Sequence, residues 1–123
     1  MTAAPLPGER PSSLVAFVSS TDLERSRAFY VDVLGLREVE LSPYALVLDS
    51  GGTTLRVTKV DALTPQPFTV LGWWVPDVRA VPVTPIVYEG MGQDEDGVWT
   101  SPSGAQVRWF RDPDDNVLSV TQG

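Results

Sequence analysis

Residues 21–36 read TDLERSRAFYVDVLGL, and their pattern decides the fold. Leu23, Ser26, Phe29, Tyr30, Val33 and Leu34 recur at spacings of three and four, which draws one apolar stripe along a helix. Thr21 and Glu24 stand at capping-box spacing. The Thr21 hydroxyl is expected to accept from the third helical N–H while Glu24 reaches back. Asp22 and Glu24 also place negative charge in the first turn, where the helix dipole favours it. Gly35 supplies a residue able to take positive φ at the C-terminus, with Leu36 set to fold back on the stripe. A helix with one apolar face needs a sheet to cover.

The flanking sequence supplies that sheet. Residues 14–19 (LVAFVS) are β-rich and lead straight into the helix, so they form the first strand. Ahead of them, residues 1–13 carry three prolines and no apolar period, as expected of a loose tail. Downstream, residues 37–41 (REVEL) alternate polar and apolar, and a Ser-Pro turn follows. Residues 44–48 (YALVL) and 53–60 (TTLRVTKV) flank Asp49-Ser50-Gly51-Gly52, a hairpin signal. Residues 14–60 therefore read β-α-β-β-β.

After a Pro-containing connector at residues 61–67, the pattern restarts and runs over residues 68–122. Residues 68–75 (FTVLGWWV) form the next strand, and Asp77 repeats the helix start. Pro82 and Pro85 then allow at most one helical turn. Residues 86–89 read as a short strand, and residues 90–97 as a polar loop carrying Asp94, Glu95 and Asp96. Strands at 98–101, 105–112 and 116–122 close the chain. The halves repeat weakly: Asp22 and Asp77 lie 55 residues apart, while Leu55-Arg56-Val57-Thr58 and Leu118-Ser119-Val120-Thr121 lie 63 apart.

Composition narrows the chemistry. The chain has 123 residues, 42% hydrophobic and 20% charged, which suits one globular domain. No apolar run approaches the ~20 residues of a membrane span, and no signal-peptide pattern opens the sequence, so the cytoplasm is the expected compartment. A net charge of −7 with nine scattered basic residues argues against nucleic acid and anionic membranes. There is no cysteine, which excludes disulfides and thiolate chemistry. There is no histidine either, which excludes imidazole catalysis and every His-containing metal site. Chemistry is left to carboxylates, tyrosines, Lys59 and arginines.

Two tandem β-α-β-β-β modules, with Asp22-Leu23-Glu24-Arg25-Ser26, Phe29-Tyr30, Leu34-Gly35-Leu36 and the closing Asp112-Pro113-Asp114-Asp115-Asn116-Val117-Leu118, resemble the vicinal oxygen chelate superfamily. That superfamily includes glyoxalase I, extradiol dioxygenases, fosfomycin-resistance enzymes and bleomycin-binding proteins. The likeness covers residues 14–122. It implies an α+β domain whose modules, here about residues 14–60 and 68–122, curl a mixed sheet into a cup with a metal on its floor. The second module's helix is truncated. The resemblance also implies a homodimer.

The floor departs from the family. Its four expected ligand positions read Val15, Arg56, Val70 and Ser119. Two valines cannot ligate and an arginine repels a cation, so neither a metal nor another cofactor is expected. Alternation places further side chains beside these positions. Trp109 falls opposite Ser119, although a one-residue slip would present Phe110 instead. Phe17 and Trp74 share faces with Val15 and Val70, and Leu46 is expected opposite Arg56. The candidate ligand-binding set is therefore Phe17, Leu46, Arg56, Trp74, Trp109 and Ser119. Its aromatics either line a cavity for a planar or hydrophobic molecule or simply fill the core. Trp73 is expected to face the helix layer. Arg56 either grips a carboxylate, phosphate or carbonyl oxygen or makes a structural ion pair. Asp112, Asp114 and Asn116 begin like a calcium loop, but Val117 stands where Gly is required, so they read as a hairpin turn.

Three functions fit these residues. The first is a metal-free binding protein that sequesters a small molecule such as an antibiotic or metabolite. The second is a glyoxalase-type lyase, isomerase or dioxygenase with an atypical metal or none, using Tyr30, Tyr44 or Arg56. The third is an interaction subunit with a filled cup.

Overall fold

Alternation along two short strands explains why one sheet face is buried and the other is not. In β1 (Val15–Ser20) Val18 and Ser20 are buried while Val15 and Phe17 are exposed, and in β4 (Thr53–Lys59) Leu55 and Val57 are buried while Arg56 is exposed. In the computed structural model, which describes residues 13–123, these strands pair in parallel with Phe17 beside Arg56. The tail expected over residues 1–13 lies outside the described residues except for Ser13.

The remaining elements are α1 (Leu23–Arg27), continued by a wider π-helical turn over Ala28–Val33, and the strands β2 (Arg37–Leu41) and β3 (Ala45–Ser50). Then come β5 (Thr69–Trp74), a 3₁₀ turn (Val78–Ala80), β6 (Trp99–Thr100), β7 (Gln106–Arg111) and β8 (Val117–Gln122). The first sheet runs β1-β4-β3-β2 and the second β5-β8-β7-β6. In each, the outer pair β1/β4 or β5/β8 is parallel and the others are antiparallel. The fold is α+β, two tandem β-α-β-β-β modules making an open cup, with the second helix reduced to one turn.

Three local expectations are corrected. The N-cap of α1 is Asp22, not Thr21: its carboxylate accepts from the Arg25 N–H at 3.1 Å. Thr21 instead gives its hydroxyl and backbone N–H to Asp114 across the domain. The helix is not uniform, because Leu34 N–H bonds to the Phe29 carbonyl five residues back. That extra residue turns Val33 outward and lets Val31 pack on the core. Gly35 does take positive φ (78°) and brings the Leu36 N–H back to the Tyr30 carbonyl. The short strand expected over residues 86–89 is absent; Ile86 contributes one backbone bond to Trp109, beside a single bridge between Pro85 and Phe110.

One apolar cluster serves both modules. Val18, Leu46, Leu48, Leu55 and Val57 meet Phe110, Leu118 and Val120, and Leu23 and Tyr30 close the cluster from the helix. Trp73 packs on its edge, as the alternation predicts, and donates from its indole N–H to Ser50 Oγ at 2.9 Å. Polar bonds fix the modules to each other. Tyr30 donates its hydroxyl to Asp112 at 2.7 Å, Asn116 Nδ2 donates to the Ser19 carbonyl at 2.9 Å, and Arg25 pairs with Asp114 at 3.2 Å. Burial, and next the Asp112 charge, push the Tyr30 phenol well above its usual range.

Burial would raise the Asp114 carboxyl, whose side chain is 4% exposed. Hydrogen bonds from Thr21 and Ser20 and the charge of Arg25 outweigh that burial and hold it below the usual carboxylate range. A carboxylate held low contributes stability above its unfolded pKa of about 4, and loses it as pH falls through the lower folded value. Asp114→Asn is therefore expected to lower stability at neutral pH and to flatten the loss below about pH 4 in denaturant titrations.

Arg108 replaces what the missing helix would have done. It is 8% exposed, and its guanidinium donates to the carbonyls of Val78, Val81, Val83 and Asp96 at 2.9, 3.0, 3.1 and 3.0 Å. The segment between Val78 and Pro85 cannot satisfy these carbonyls with a helical ladder. Arg108→Met should strip the side-chain donors from these carbonyls, leaving Val81 only its bond from the Val83 N–H, and cost about 2–4 kcal/mol in chemical denaturation, with Arg108→Lys recovering only part.

Candidate functional site

Within each sheet, strand register decides which side chains share a face. In the first sheet the row Phe17–Arg56–Val47 crosses β1, β4 and β3, with Glu40 of β2 at its end. The next row is Val15–Thr54–Asp49, and on the other side lies Ser19–Thr58–Ala45. In the second sheet Gly72–Ser119–Trp109 and Trp74–Thr121–Val107–Trp99 form adjacent rows. Phe17 is 64% exposed and Trp74 78% exposed, whereas Ser119 and Trp109 are half-buried.

Leu46 does not belong to this face. It pairs with Val57, has no exposed surface and sits in the core, while Val47 occupies the place opposite Arg56. The cause is the hairpin turn: Ser50 pairs with Thr53, leaving only Gly51 and Gly52 in the loop, at φ of 57° and 96°. The tighter turn moves the register by one residue and exchanges the faces of β3.

Trp109 does stand opposite Ser119, and it carries partners the sequence reading missed. Its ring lies 5.6 Å from Tyr88, edge to face, and 6.1 Å from Trp99. Tyr88 could not be placed by periodicity because it sits in irregular chain held by Gln93, which accepts from the Tyr88 N–H at 2.7 Å. Gly72 admits Ser119 closely: a Cβ there would lie 2.6 Å from Ser119 Oγ.

The connector supplies a wall. Leu63, Thr64 and Gln66 bend over Phe17, Ser19, Val70 and Asn116 and enclose a groove of about 250 Å³ along the seam between the two sheets. A larger hollow of about 530 Å³ opens at the start of α1 between Leu23, Leu41, Pro43 and Lys59, lined by none of the candidate residues. A bulge between Thr69 and Leu71 takes Val70 out of regular pairing with β8.

Tyr30 and Tyr44, the tyrosines considered for chemistry, lie elsewhere. Tyr30 is wholly buried against Asp112, and Tyr44 is 77% exposed at the foot of β3. Arg56 has no ion pair among the described residues, although Arg25, Arg27, Arg37, Lys59 and Arg79 all do.

The family model described as the Glyoxalase/Bleomycin resistance protein/Dioxygenase superfamily matches residues 14–120, and the chain belongs to that superfamily. A search of curated proteins returned no match. Among solved structures, a lactoylglutathione lyase from Agrobacterium tumefaciens is similar at 19% identity and TM-score 0.66, covering 95% of this chain and 96% of that one. A superfamily member from Sphaerobacter thermophilus gives 20%, 0.69, 93% and 98% in the same terms. The bleomycin-binding protein from bleomycin-producing Streptomyces verticillus, complexed with copper(II)-bleomycin, gives 20%, 0.65, 93% and 98%. At these identities the likeness is one of fold.

At the positions where the resemblance places metal ligands, Val15, Arg56, Val70 and Ser119 offer one hydroxyl and one cation, a donor set that does not fit a divalent metal. Among the described residues no three Asp or Glu side chains converge as a metal site would require.

The exposure pattern has a spectroscopic consequence. Trp74 should dominate acrylamide quenching of the four-tryptophan emission, with Trp73, Trp99 and Trp109 partly shielded. Trp74→Phe is expected to remove most of the readily quenched fraction and leave the melting temperature nearly unchanged.

Proposed function

We propose that this superfamily member is a metal-independent binding protein that takes a small, largely apolar or aromatic molecule on the open face of its paired sheets. What supports the reading is a cross-strand row of Phe17 and Arg56 in the first sheet and rows carrying Trp109 with Ser119 and Trp74 in the second, with Val15, Arg56 and Val70 at positions where the resemblance places metal donors. Exposed aromatic rings give apolar contact area at low entropic cost, and a few polar groups fix orientation. The copper(II)-bleomycin complex of a neighbour of the same fold supports a small-molecule role, and an antibiotic or a metabolite fits.

The seam groove of about 250 Å³ is smaller than the ~300–1,000 Å³ of drug-sized sites. The homodimer implied by the resemblance is part of this proposal, with a second copy completing the groove beside Phe17. No described helix is long and apolar enough to cross a membrane, and we place the protein in the cytoplasm. A lyase, isomerase or dioxygenase activity is the less supported reading, because Tyr30 is locked to Asp112 and the floor supplies no Lewis acid site.

A thermal-shift and calorimetric screen of planar aromatic compounds on chelator-treated and untreated protein tests this. The expected outcome is stoichiometric binding without turnover, indifferent to chelator and weakened about tenfold or more by Trp109→Ala or Phe17→Ala. Near-stoichiometric bound metal with a chelator-sensitive melt would overturn it.

A further inference from the structure

We infer that the ligand of the open face carries an anionic group, a carboxylate or its equivalent on an aromatic body, and that Arg56 receives it. This rests on the binding role proposed above and adds the ligand's charge. Arg56 sits mid-strand in β4, exposed, with Phe17 beside it on β1 and Val47 on β3. In a chain with sixteen acidic residues, an exposed arginine is readily claimed by a neighbour, and five other basic side chains are so claimed. The acids nearest in register do not claim this one. Asp49, one row away on the same face, pairs with Arg37 at 3.4 Å, and Glu40 ends the row two strands off, with no ion pair to Arg56. Arg108 spends its donors on backbone carbonyls, and Arg111 lies over the Pro82–Ile86 segment.

The surroundings of Arg56 complete a site. Thr54 and Thr58 flank it at two-residue spacing on the same face of β4, so hydroxyl, guanidinium and hydroxyl form one polar strip. Val15 and Phe17 border the strip on one side and Val47 on the other. A planar guanidinium with unspent N–H groups matches a carboxylate in bidentate geometry, and the adjoining ring and aliphatic groups suit an aromatic body. A neutral aromatic ligand would cover Arg56 and leave it desolvated without a counter-charge, which is costly. In a chain of net charge −7, Arg56 is the positive centre of this strip and the group that would draw an anion to it.

Three matched probes test the inference by titration calorimetry on the full chain: 2-naphthoate, 2-naphthamide and 2-naphthylmethylammonium. Naphthoate is expected to bind about tenfold or more tighter than the amide, with the ammonium weakest. Arg56→Gln should bring naphthoate and amide within about twofold of each other, and Arg56→Lys should keep part of the preference. Equal or tighter binding of the amide to the unmodified protein would overturn the anionic ligand while leaving the binding role standing. A naphthoate preference that survives both substitutions would overturn the assignment to Arg56. Failure of all three probes to bind would overturn the binding role and this inference with it.

Discussion

Asp112 is the constraint on which the arrangement depends. Its buried carboxylate accepts four hydrogen bonds: from the Tyr30 hydroxyl, from Asn116 Nδ2, and from the backbone N–H groups of Asp114 and Asn116. Two of these fold its own turn, a third holds Asn116, and the last pulls in the helix of the other module. Asn116 and Asp114, held in place by that turn, then reach Ser19 and Thr21. A buried charge without such donors would be strongly destabilising. With them it fixes where the second sheet stands relative to the first, and so determines that Phe17 and Val70 border one groove.

The second module shows how a fold survives losing an element. Its sequence keeps the helix N-cap, Asp77, which accepts from the Arg79 N–H, but Pro82 and Pro85 forbid the ladder that should follow. The liberated carbonyls are collected by one arginine projecting from β7 toward the core. The π-helical turn after α1 packs beside the second sheet, with Phe29 6.2 Å from Phe110. A covalently distant cation thus performs the work of local backbone bonding.

Local chemistry was the most legible part of the sequence. The helix start at Asp77, Gly35 and the Asp112 turn follow from cap and turn preferences that act within a few residues, and the order of elements along the chain follows from their repetition. The face of β3 was not legible, because it hangs on whether the Asp49–Gly52 turn holds two loop residues or three. Leu46 and Val47 are equally apolar, so composition offers no second vote. Thr21 looked like a cap because its true partner, Asp114, is 93 residues away. Arg108 obeys the alternation that turns Trp109 outward, yet its charge argues for the surface; only the orphaned carbonyls explain it.

The ties between the modules also set an order of events in synthesis. Thr21 meets Asp114 across 93 residues and Ser19 meets Asn116 across 97, and β8 is the central partner of β5 and β7. Long loops close late and at an entropic cost. While the chain emerges from the ribosome, the first module has no Asp112 for Tyr30 and no Phe110, Leu118 or Val120 for its apolar face. The domain can lock only when nearly all of it is out, so the nascent chain depends on whatever shelters Leu46, Leu48 and Val57 until then.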